Sequence, residues 1–129
     1  MKPLRSSLLV LAVLCAAPAL AMPLDTGERA KAFATCLGRY AAAAEHAVRT
    51  GGDAETSAAR REMFADLLDA VTPGSGVAPS RLSSYRLGAK NAQARLFRMS
   101  YSTQDVVRAR MAASVARREI TMCDQLILG

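Results

Sequence analysis

The scarcest reactive side chains of this 129-residue sequence are Cys15, Cys36, Cys123 and a single histidine, His46. A thiol can pair, ligate a metal or attack an electrophile, and an imidazole can ligate or relay protons. Their spacing excludes most of these uses. One histidine cannot build the usual multi-histidine zinc sets, and a Ser–His–Asp triad would have to rest on His46 alone. The CxxCH signature of covalent haem is absent, and so is CxxC. Small exported four-helix cytochromes also hold haem between Met and His. Here His46 falls opposite Phe33, Leu37 and Tyr40 on a helical wheel, so it is expected in solvent. No cofactor and no metal is expected.

The carboxylates give no better start for catalysis. Several sit in helix first turns, where they complement the dipole. Glu62, Asp66 and Asp69 recur at i, i+4 and i+7 as one acidic stripe, which reads as a solvated helix face before it reads as a cation site. No EF-hand, P-loop or HExxH pattern occurs. An enzyme is the least favoured class.

The fate of the thiols depends on compartment. The N-terminus reads MKPLRSSLLVLAVLCAAPALAMPLD. Lys2 and Arg5 form a positive start, Leu8 to Ala17 an apolar core, and Ala19-Leu20-Ala21 a small-x-small cleavage site. The run is short of the ~20 residues that span a bilayer, which argues against an uncleaved anchor. Leu14 before Cys15 argues against a lipoprotein site. Residues 1–21 are therefore expected to be a signal peptide cleaved after Ala21, leaving a single domain over residues 22–129 that is periplasmic or secreted. Export leaves Cys36 and Cys123 in an oxidising compartment, where thiols pair. A disulfide between them is the favoured reading, over a reactive thiol or an intermolecular pair.

The elements that must position this pair are helical. Punctuation falls at Gly51-Gly52, at Thr72–Ser80 and near Ser100, and no strand pattern appears between. The first helix starts at Asp25 with Glu28 completing a capping box, and buries Ala30, Phe33, Ala34, Leu37, Tyr40, Ala41, Ala44, Ala47 and Val48. The second follows Asp53 and buries Met63, Phe64, Leu67, Leu68 and Val71. The third begins near Pro79 with a seam of Leu82, Tyr85, Ala89, Ala92, Leu96 and Met99. The fourth starts at Ser102 or Thr103, with a face of Ala109, Ala112, Ala113, Ala116, Ile120, Cys123 and Ile127. Short connections suggest an all-α, up-down-up-down four-helix bundle carrying one inter-helix disulfide. ARREMFADLL at Ala59 echoes ARREITMCDQLI at Ala116, which an Ala/Arg-rich composition can produce without duplication.

Surface chemistry points to binding. Without Lys2 and Arg5, 15 basic residues face 11 acidic ones, a net charge of +4 that does not by itself imply nucleic acid, and none is expected outside the cytoplasm. The charge is unevenly shared: residues 22–72 carry −2 and residues 73–129 carry +6. Arg81, Arg86, Lys90, Arg95 and Arg98 of the third helix scatter around its wheel. They either meet the acidic second helix or contact an anionic partner such as a membrane surface. The fourth helix repeats apolar residues on a second side, at Met111, Val115, Met122 and Leu126. A second apolar stripe is either buried or offered to a partner.

FATCLGRYAAAAEH, then RREMFADLLDAV and a late Cys-Asp ahead of LILG, resembles small exported helical proteins of alphaproteobacteria. The likeness covers most of residues 22–129 and implies no catalytic or binding residue. The expected function is a non-catalytic protein–protein interaction module, self-associating through the fourth helix or binding another protein. The alternative is a carrier of lipid or another apolar ligand, or a peripheral binder of anionic membrane.

Overall fold

The computed structural model describes residues 25–128; the expected signal peptide, with Cys15, lies outside them. Helix α1 spans Thr26–Thr50. The Asp25 carboxylate accepts from the backbone N–H groups of Gly27 (2.6 Å) and Glu28 (3.2 Å), satisfying donors that the first turn leaves open. Glu28 does not reach back as a capping box would; it pairs with Lys31 at 2.6 Å. Gly51 ends the helix in the left-handed region, at φ 70°.

Helix α2 spans Ala54–Val71, capped by Asp53, and a 3-10 turn over Thr72–Gly74 follows it. Helix α3 spans Pro79–Ser100, with Pro79 in the first turn. Helix α4 spans Val106–Leu128, a turn later than Ser102 or Thr103. Asp105 explains the shift, because its carboxylate accepts the Arg108 N–H at 3.0 Å and so fixes the N-cap. The described residues contain no strand.

Contacts set the directions. Leu68 and Val71 pack by Ala30 and Ala34, whereas Ala54 and Ala58 lie by Ala44 and Val48, so α2 runs antiparallel to α1. Along α3, Leu82 packs by Ala30 and Ala34, while Lys90 meets Glu45 and Phe97 meets His46, so α3 runs parallel to α1. Helix α4 runs antiparallel to α3, joining Ala116 to Gln93 and Ala112 to Met99. The four helices of the described residues are not equivalent neighbours. α1 is central, packed broadly against both α2 and α3, whereas α4 rests mainly on α3.

Centrality explains the burial. α1 hides Cys36, Gly38 and Ala42 as well as most of its expected face, but Ala41 is half-buried and Val48 at its end is 73% exposed. α2 needs only one face, and of its expected core only Phe64 is fully buried. Met63 is 41% exposed. Phe64 lies between Phe33 and Tyr40, with ring centroids 6.2 and 5.9 Å away. The expected α3 seam is also corrected: Leu82 is buried, but Tyr85 and Ala92 are exposed and Gln93 is 1% exposed. α3 turns Leu82 and the backbone near Arg86 toward α1, which rotates the rest of the seam outward.

Gly38 makes that contact geometrically possible. A Cβ there would sit 2.1 Å from the Arg86 carbonyl oxygen and 3.0 Å from the Lys90 nitrogen. The two helices touch backbone to backbone. Cys36 and Cys123 then join α1 to α4 through an S–S bond of 2.05 Å, with Cα atoms 5.6 Å apart. The echo between α2 and α4 has no counterpart in packing, since Ala59 is exposed and Ala116 is buried.

Two stability outcomes follow from this packing. The disulfide closes an 87-residue separation, so reduction is expected to cost about 4–5 kcal/mol, read as a lower urea midpoint. An unchanged midpoint would mean the bond does not constrain the chain. Gly38→Ala is expected to lower the thermal midpoint. Helix propensity favours Ala by ~1 kcal/mol, but moving a backbone carbonyl aside costs about 1–3 kcal/mol or more. A more stable Gly38→Ala protein would show that the helices do not meet this closely.

Candidate functional site: an open groove between α3 and α4

Gly88, Ala89 and Ala92 give α3 almost no side-chain volume on the flank facing α4. Opposite them stand Val115 and Glu119, and α1 contributes Thr35 and Arg39. The unfilled space is an open cleft of about 650 Å³. A Cβ added at Gly88 would meet nothing within 4 Å, in contrast to Gly38. A second cleft of about 530 Å³ continues along the same helices, past Met99, Val107 and Met111. The two share Leu96 and Val115 and make one groove.

Polar ties hold the walls. Gln93 is buried, and its Nε2 donates to the Ala116 carbonyl at 3.1 Å, pinning α3 to α4 midway. A carbonyl has two lone pairs, so this bond can be added to the helical one. Lower down, Arg39 forms an ion pair with Glu119 and also donates to its carbonyl oxygen at 3.4 Å. Burial lowers the Arg39 pKa from its ordinary value, but a guanidinium starts so high that it remains charged. Tyr40 donates to the Asp124 carboxylate, which also meets Arg60 at 3.8 Å, so α1, α2 and α4 share one polar knot. Burial first, and the Asp124 bond second, hold the Tyr40 phenol well above its usual range.

The groove's upper edge carries Arg81, Ser84 and Tyr85. The hydroxyls of Ser84 and Thr35 donate to carbonyls of their own helices, at 3.1 and 2.9 Å. No ion pair engages Arg81 among the described residues. Chemically, this is an apolar trough whose lining holds, among the described residues, one unpaired cation, Arg81. No cluster of three or more His, Cys, Asp or Glu able to hold a metal occurs among the described residues.

The residues singled out in sequence divide between several places. Met111 and Val115 line the groove, with Met111 65% exposed. Met122 is 44% exposed on the same side of α4. Leu126 packs against the Phe64 cluster and does not belong with them. Of the five basic residues of α3, Arg81 lines the groove, while Arg86 lines a hollow beside Asp69 and Leu68 of α2. Lys90 pairs with Glu45 of α1, and Arg95 and Arg98 are exposed. They form no single patch.

Sequence reasoning missed Gly88, Ala89, Arg39 and Gln93 as site or wall residues. The available signal was the pairing of very small α3 residues with a lone amide on an otherwise apolar flank. His46 also departs from expectation. Its ring stacks on Phe97, centroids 4.2 Å apart and planes 3° apart, with Tyr101 beside it. The wheel position opposite Phe33 is where α3 packs, so it is not solvent. No protein family, no curated protein and no solved structure matches the chain. Among the described residues, no helix is long and apolar enough to cross a membrane.

Desolvation, reinforced by Arg49, lowers the His46 pKa below its usual 6.5. The folded state therefore binds this proton less readily than the unfolded chain, so stability is full above about pH 6.5 and declines as pH falls below it. Thermal midpoints between about pH 7.5 and 5.5 are expected to fall, and His46→Gln is expected to flatten that limb. A slope unchanged by the substitution would place the titration elsewhere.

Proposed function

We propose that the protein is a non-catalytic protein–protein interaction module, working after export, that receives an amphipathic helix in the α3–α4 groove. One observation carries this reading: the groove is apolar along its floor, continuous past Leu96 and Val115, and open along its length. Helix-in-groove recognition needs a long apolar trough without a roof. Exposed Met111 supports it, because a flexible thioether adapts to varied apolar partners. The disulfide supports an oxidising compartment, where such bonds persist.

A carrier of lipid or another apolar ligand is the second reading. Its support is the volume of the cleft, about 650 Å³, within the range of small-molecule sites at ~300–1,000 Å³. The lateral opening favours a helix, since a carrier gains by enclosing its cargo. Membrane contact through the basic residues of α3 has less support, because Lys90 is paired and Arg86 faces α2.

The test is an NMR titration of labelled protein with amphipathic helical peptides of acidic, neutral and basic polar face, and separately with dodecanoate. Shifts at Ala92, Leu96 and Val115 that saturate with a peptide and vanish in Ala92→Trp are expected. Saturation by dodecanoate alone would replace the module with a carrier, and no response to any probe would remove the groove as a site.

A further inference from the structure

We propose that the helix received by the groove is the outer face of α2 from a second copy of this chain, so that the protein assembles head to tail. This rests on the groove being a protein-docking surface, and it names the partner.

The outer face of α2 has the required chemistry. Glu55, Glu62, Asp66 and Asp69 recur along it and are exposed, with Ala59, Met63 and Ala70 beside them. No basic side chain shares that arc. Arg60 turns inward to Asp124, and Arg61 sits at the edge, 2.9 Å from Glu62. Glu55, Asp66 and Asp69 enter no ion pair among the described residues. α3 sends Lys90 to Glu45, and its Arg86 shares a hollow with Asp69 without closing an ion pair on it.

The groove is the complement. Arg81 lines it; by helical spacing Arg95 falls on the same flank of α3, with Gly88 and Ala92 between the two, and Arg118, one turn past Val115, falls on the groove side of α4. None of these three arginines is paired among the described residues. The acids nearby are already engaged: Glu119 with Arg39, and Asp105 with Arg108 at 3.9 Å. What the groove leaves unsatisfied is positive charge, and what α2 leaves unsatisfied is negative. Lengths agree as well. At 1.5 Å per residue, Glu55 to Asp69 spans about 21 Å and Arg81 to Met99 about 27 Å. Small residues on both sides, Ala59 and Ala70 against Gly88 and Ala92, allow a close crossing.

Topology decides the symmetry. Phe33, Leu37 and Tyr40 of α1 face α2, whereas Thr35 and Arg39, on the opposite side of the same helix, face the groove. Donor face and acceptor groove therefore lie on opposite sides of the molecule. Such a contact is heterologous: each added copy leaves one face and one groove free, so assembly extends instead of stopping at a two-fold dimer.

The test is sedimentation velocity of the intact protein at low and high salt, with two variants whose changes are confined to exposed positions. Asp66→Lys/Asp69→Lys removes the donor face, and Ala92→Trp fills the acceptor. Far-UV circular dichroism checks that both fold. The parent is expected to exceed dimer mass as concentration rises at low salt, and to return to monomer near ~1 M salt, where the Debye length is ~3 Å. Each variant alone is expected to be monomeric, and their mixture to stop at a one-to-one dimer, since it contains one working face and one working groove. A parent that stays monomeric, a variant that still assembles, or a mixture that gives no dimer overturns self-docking. If peptide titration of the groove persists in such a case, the groove reading survives with a different acidic partner; if it is also lost, both fail.

Discussion

The backbone contact between Gly38 and Arg86 is the constraint on which the remaining packing depends. It brings α3 against α1 with no side chain between them, which turns α1 into a helix buried on two opposed sides. α2 then takes the aromatic side, where Phe64 fills the space between Phe33 and Tyr40. α4 is left with the flank of α3 and a narrow approach to α1. A groove arises because α3 spends its bulky residue, Leu82, on α1 and presents glycine and alanine toward α4.

That arrangement explains why α4 is attached by ties more than by area. Its buried residues are mainly Ala109, Ala112 and Ala116, each of which removes little apolar surface from water. The deficit is met by the Cys36–Cys123 bond, the Arg39–Glu119 pair, the Tyr40–Asp124 hydrogen bond and the Gln93 amide on the Ala116 carbonyl. Three of the four reach α1. A helix that touches its neighbour lightly is thus held in one register by directional contacts.

The helical class, the disulfide and the alanine face of α4 were legible in sequence because each depends on periodicity or on counting. Which neighbours would meet was not. The same 3.6-residue pattern describes α3 whether its seam faces a core or a trough, and only the Gly38 contact decides between them. His46 shows the same limit: its wheel angle is readable, but the presence of Phe97 at that angle is a tertiary fact. Spacing places Leu126 with Met111 and Val115, and the convergence of α4 on the Phe64 cluster separates it from them. The Asp53 cap, by contrast, is local and legible, its side chain bonding the backbone three residues on; Asp105 does the same for α4, where the spacing alone favours Ser102 or Thr103.

The disulfide has a consequence beyond thermodynamics. Cys36 lies in the first helix and Cys123 in the last, so the three connections, at residues 51–53, 72–78 and 101–105, all fall inside the covalent loop. A protease that cuts any one of them produces two fragments that remain chained together, each keeping its contacts with the other. Nicked molecules can then persist as whole ones until the bond is reduced. In surroundings rich in proteases and poor in reductants, the lifetime of this protein would be set by the state of one sulfur pair more than by the integrity of its backbone.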